Sequence, residues 1–174
     1  VEEPVDNRLA DLERRVAALE SAESAGLRPQ ERQVLPQGAD PEVFFALRGL
    51  KERIPAPGAV LYTGSVTLPD ERTIDWQFGR PTPEVLEADW ASRASALAAL
   101  GHPVRLTLLR EILHGRTTVS ALSEVEGLGT SGQIYHHLRQ LTAEGWLHTP
   151  SRGVFAVPPT RVVALLAILV ALER

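Results

Sequence analysis

Apolar and polar positions alternate along this chain in registers that change from segment to segment, and each register names an element. Val5, Leu9, Leu12, Val16 and Leu19 follow steps of four and three residues, an a/d seam that predicts an amphipathic helix within residues 1–24. Arg8 and Glu13, like Arg15 and Glu20, fall at g and the following e′ positions, a charge register suited to a parallel pair of such helices. The seam lasts little more than two heptads, so it equally describes a helix packed on its own domain. Residues 25–42, dense in Gly, Pro, Gln and charge, read as a linker.

The register then switches. VFFALRGLKERI (43–54) predicts a short helix, after which residues 59–68 alternate with Val60, Tyr62, Val66 and Leu68 on one face. Residues 73–78 repeat the alternation with Ile74, Trp76 and Phe78, and Pro69-Asp70-Glu71-Arg72 supplies the turn of a β-hairpin. Two strands with an aromatic face are marginal alone in water. That face must be covered by the preceding helix, a second subunit, or a ligand or partner. The 43–91 segment is therefore either a structural platform or a sensing or partner-binding surface.

From residue 102 the period becomes helical. HPVRLTLLREILHG (102–115) sets Pro103 at a helix start, Leu106, Leu109, Ile112 and Leu113 on a face, and Gly115 at the end. TTVSALSEVEG (117–127) is a shorter helix with Thr117 or Thr118 as cap and Val119, Leu122 and Val125 inside. Gly127-Leu128-Gly129 is a tight turn into TSGQIYHHLRQLTAEG (130–145), where Ile134, Leu138 and Leu141 form the buried stripe. Thr130, Ser131, Gln133, His136, Gln140 and Ala143 fall largely on the other face; Thr130 or Ser131 caps the helix and Gly145 stops it. Two helices joined by a short Gly-containing turn make a helix-turn-helix. Residues 146–149 and 154–157, joined by Pro150-Ser151-Arg152-Gly153, then form a hairpin wing, and the apolar helix RVVALLAILVALER ends the chain.

Over residues 92–174 the chain resembles the ArsR/SmtB-type winged helix-turn-helix transcriptional regulators, bacterial dimers that bind operator DNA. The resemblance rests on LGHPVRLTLLREIL, HHLRQLTAEGWL and SRGVFAV, in order and at near-matching spacing. It implies that Ser131, Gln133, Tyr135 and His136 turn toward base edges and that Arg152 stands at the wing tip; Thr130 and Arg139 are expected beside them in the DNA-binding set. One departure is visible: Arg139 is the single arginine of a helix that often carries more positive charge in such regulators. The last helix is apolar nearly all round and calls for burial on more than one side. A dimer is expected there through Val162, Leu165, Leu166 and Leu169, supported by the N-terminal seam.

Composition modifies this picture. The net charge of −4 is uneven: residues 1–92 hold 10 basic and 17 acidic side chains, residues 93–174 hold 8 and 5. The segment expected to meet DNA is thus mildly basic. Absence of cysteine removes disulfides and thiolate-based metal or redox sensing. A single Lys against 17 Arg, amid abundant Ala and Leu, fits a GC-rich, bacterial source. No apolar run reaches the ~20 residues of a membrane span, and no leader pattern opens the chain. A cytoplasmic location is the expectation. With no Met anywhere, Val1 is not expected to be the translational start.

Catalytic and metal chemistry find little purchase. Gly129-Thr130-Ser131-Gly132 lacks the glycine that a nucleophile elbow needs where Gln133 stands. His136 and His137 point about 100° apart on a helix, not along one face as an i, i+4 ligand pair does. His137 is expected to be packed and hydrogen-bonded, His136 exposed; His102, His114 and His148 have no ligand-spaced partners in sequence. No enzyme activity, metal site or cofactor is expected. The fold class expected is mainly α with small β: a winged helix-turn-helix (92–174) preceded by a hairpin segment and a coiled-coil-like helix. Its expected role is that of a dimeric regulator on a pseudo-palindromic double-stranded DNA site, with an effector or protein at the 59–78 hairpin. The competing reading is a winged-helix protein–protein interaction module that touches DNA weakly or not at all.

Overall fold

The computed structural model describes residues 44–173. The expected seam residues Val5, Leu9, Leu12, Val16 and Leu19, and the linker, lie outside the described residues. Contacts divide the chain into two units, Val1–Ala46 and Leu47–Arg174. The second unit is mainly α with small β.

Helix α1 (Phe45–Arg53) carries Lys51 and Arg53 in its last turn, where cations meet the negative end of the helix dipole. Arg53 Nη1 donates to the Gly49 carbonyl at 2.8 Å. Strands β1 (Ala59–Thr67) and β2 (Thr73–Pro81) pair antiparallel over nine residues in unbroken register, with Tyr62 opposite Phe78, Gly64 opposite Trp76 and Val66 opposite Ile74. β2 runs three residues beyond the expected strand. Its turn is held by Asp70, whose carboxylate accepts from the Arg72 backbone and Nε at 3.2 and 2.6 Å.

Three short elements that the hydrophobic pattern does not announce come next: α2 (Thr82–Glu87), a 3₁₀ turn (Ala91–Arg93) and α3 (Ala94–Leu100). Local polar contacts hold this stretch, with Trp90 Nε1 donating to the Val85 carbonyl and Asp89 accepting from the Ala91 amide. Helix α4 (Pro103–Leu113) starts at a proline, which has no amide to leave unsatisfied, and ends before Gly115 at φ 95°. Helix α5 (Val119–Ser123) is capped by Thr118, α6 (Ser131–Ala143) by Thr130. Leu108, Leu109, Leu122, Ile134, Leu138 and Leu141, each at most 1% exposed, form the centre of the core where these helices meet.

Strands β3 (His148–Ser151) and β4 (Val154–Ala156) follow. The first begins two residues later than its pattern suggests, because Trp146 and Leu147 are core residues: Trp146 Nε1 donates to the Ala96 carbonyl at 2.8 Å and Leu147 is buried. A third segment joins this hairpin. Thr118 bridges Val154, and the Phe155 amide donates to the Thr117 carbonyl at 2.8 Å.

Helix α7 (Pro159–Ala171) lies against both strands of the β1–β2 hairpin. The approach is close at Gly64, where a Cβ would come within 2.8 Å of Val163 Cγ1. This corrects the expected dimer surface. Val162 and Leu165 are each 1% exposed inside the chain's own core, and Leu166 packs against it. The covering hairpin precedes residues 92–174, so a reading of that segment alone leaves this helix bare. Leu169, Val170 and Leu172 remain exposed.

Candidate nucleic-acid interface

The outward face of α6 is set at the start of the helix. Gly127 and Gly129, at φ 84° and 82°, turn the chain sharply from α5 into α6. Thr130 Oγ1 then accepts from the Gln133 amide at 3.4 Å while Gln133 Oε1 accepts from the Thr130 amide at 2.8 Å and from its hydroxyl at 3.2 Å. This is a capping box, in which each side-chain oxygen accepts from the other residue's otherwise orphaned amide. Ser131 Oγ lies 3.3 Å from Ser123 Oγ and ties the start of α6 to the end of α5.

These contacts revise the expected site. Thr130 and Gln133, both expected to contact DNA, are engaged in the cap, and Gln133 keeps only its Nε2 group uncommitted by it. The motif Thr-x-x-Gln at 130–133 is itself the signal of a capping box and was present in the sequence. Tyr135, His136 and Arg139 are exposed on α6, as is Arg152 in the turn between β3 and β4. The structure therefore brings Ser131, Tyr135, His136 and Arg139 together on one exposed helix and sets Arg152 on the following hairpin.

Behind this face stands a cationic junction that sequence spacing concealed. Arg105 on α4 donates through Nε and Nη2 to the carbonyls of Ala99 and Ala98 at 2.5 and 2.7 Å, and through Nη1 to Gln140 Oε1 on α6 at 2.6 Å. One guanidinium joins α3, α4 and α6. Beside it the His137 ring lies 4.7 Å from that of His102, which caps α4 by accepting the Val104 amide at Nδ1. His137 is packed as expected, but its buried Nδ1 has no hydrogen-bond partner. Burial first, then His102, Arg105 and His136, hold its imidazole below the ordinary histidine range.

At the far end of α4 the buried Glu111 accepts from Arg110 Nε and Nη2 at 3.1 and 2.8 Å and from Arg116 Nη1. The Arg110 hydrogen bond, reinforced by Arg116 and opposed by burial, keeps the carboxyl below the usual glutamate range. A cavity of about 300 Å³ separates the β1–β2 turn from this end of α4, with Leu68, Asp70, Arg72, Leu113 and His114 among its walls. Among the described residues, no group of three or more His, Asp or Glu is arranged to hold a metal ion, and no helix is long and apolar enough to cross a membrane.

No family model, curated protein or solved structure matches the chain.

Proposed function

We propose that the chain is a dimeric, sequence-specific DNA-binding transcriptional regulator of winged helix-turn-helix type, cytoplasmic and without metal or enzymatic chemistry. The observation that carries this reading is the arrangement of α5 and α6 about a two-glycine turn, with α6 apolar inside and polar outside, followed by a hairpin to which Thr117–Thr118 adds a third segment. In this reading α6 enters the major groove. Tyr135 and His136, with the Gln133 Nε2 group, face base edges, while Arg139 and Arg152 meet phosphate. Two copies, joined through the exposed end of α7 and the N-terminal seam, read two half-sites about one helical turn apart. The hairpin covering α7 then holds that helix in place.

A duplex selected from a random-sequence pool tests it. His136→Ala is expected to cost on the order of 1–3 kcal/mol on the selected duplex and far less on random DNA. Equal losses on both would remove base reading from α6.

A specific observation favours a second reading, a protein-interaction module. Val60 and Phe78 on the hairpin, Leu169 and Val170 on α7, and Leu172 just after it are exposed, and apolar surface of that kind serves partners as well as dimers. A pool that yields no preferred duplex, from a chain that stays monomeric, would select this alternative.

A further inference from the structure

We propose that His137 is a positioning residue whose neutral form seats α6 on α4, so that DNA reading by this helix is proton-gated; the gate's effect on binding rests on the DNA-binding reading above. His137 sits one residue beyond the exposed His136 yet on the inner side of α6, its ring 4.7 Å from His102 and 5.6 Å from His136. The charged and titratable groups acting on it are His102, the cap of α4, Arg105 within α4, and His136 from its own helix. None of these is a carboxylate.

His102 has already spent its Nδ1 as acceptor for the Val104 amide, and Arg105 is permanently cationic and bonded to three acceptors. A proton added at the buried Nδ1 of His137 would find no acceptor within the protein, and would face the Arg105 charge. The strain is relieved by moving the ring outward. Because Gln140, one turn along α6, is held by the same Arg105, that movement shifts the helix against α4. Acidification thereby displaces the face that carries Tyr135, His136 and Arg139. Acidification also makes the protein as a whole more positive, which attracts phosphate, so the gate must be read as a ratio between variants.

Affinity for a duplex selected at pH 7.5 would be measured from pH 7.5 to 5.0 at constant ionic strength for the wild-type chain, His137→Gln and His137→Leu. Wild-type affinity relative to either variant is expected to fall at least tenfold across this range; a flat ratio overturns the proposal. NMR of the free wild-type protein supplies a reading that needs neither variant nor DNA. His137 is expected to titrate below the ordinary histidine range, with α6 amide shifts following the His137 midpoint. Amides of α6 that ignore that midpoint overturn the proposal. If selection yields no duplex, the DNA-binding reading fails, while these amide shifts still decide whether His137 seats the helix.

Discussion

The described residues hold two β-hairpins that are stabilised in opposite ways. The β1–β2 hairpin is long and in perfect register, with a cross-strand aromatic contact between Tyr62 and Phe78 at 5.9 Å. Even so, none of its side chains is fully buried. It depends on one face, pressed on α7 around Gly64. The β3–β4 hairpin has strands of four and three residues, a broken register and an entirely exposed first strand. It depends on its flanks: Trp146 and Leu147 enter the core before it, Phe155 and Val157 within and after it, and Thr117–Thr118 pairs along its side. A short hairpin needs little pairing of its own when both its roots are in a core. A long one with half-covered faces needs a close-fitting neighbour.

The comparison breaks most severely at Phe155. Its side chain is buried and its amide links the third segment, so Phe155→Ala is expected to destabilise by about 3–5 kcal/mol, measured by denaturant unfolding. On the other hairpin, Gly64→Ala drives a methyl into the buried, β-branched Val163, which cannot swing aside. A loss of about 1–3 kcal/mol is expected. Adding Val163→Ala should remove that penalty, leaving the double variant no less stable than Val163→Ala alone. Additive losses would show that Gly64 matters for a reason other than fit.

What the sequence disclosed follows the same division. Period, caps and turn glycines are local, and they located α4, α5, α6, both hairpins and the stripe Ile134, Leu138 and Leu141. Contacts between distant segments were not legible. Nothing local pairs Gly64 with Val163, bridges Thr118 to Val154, or brings His102 beside His137. Trp146 looked like a strand residue because an aromatic before a β-run fits either role until Ala96 offers its carbonyl. The α2–α3 stretch was missed for another reason: its elements are three to seven residues long and hold no stripe to read. The cap at Gln133 was local and legible; reading the residue by its place on an outward face hid it.

pH separates the two hairpins further. Glu111 binds Arg116, the residue leading into the Thr117–Thr118 segment, and its folded-state pKa is depressed. A depressed carboxylate contributes stability that is complete above the ordinary glutamate value, about 4.3, and is lost as pH falls through the folded value. Unfolding free energy should therefore decline below about pH 4.3, and Glu111→Gln should flatten the decline. Asp70 is also depressed, mainly by Arg72, but it is exposed and screened, so Asp70→Asn should leave the profile nearly unchanged. Equal effects from the two variants would erase the distinction between a buried anchor and an exposed turn.

The smallest stability effects lie at the two hairpin tips, where the proposed function makes its cleanest division. Arg152 occupies the exposed turn of the short hairpin and Arg72 that of the long one, where Arg72 is tied to Asp70. Replacing either by Ala should change stability by no more than about 0.5 kcal/mol, as for most surface substitutions. Their effects on DNA should differ. If the short hairpin is the wing, Arg152→Ala loses one phosphate contact and its released counterion, weakening all duplexes alike and lowering the slope of log affinity against log salt by about one. Arg72→Ala, on a hairpin seated on α7, should leave that slope unchanged. Affinities measured across a salt series for the two variants would decide it. Identical slopes would take the short hairpin out of the interface and leave α6 to bind alone.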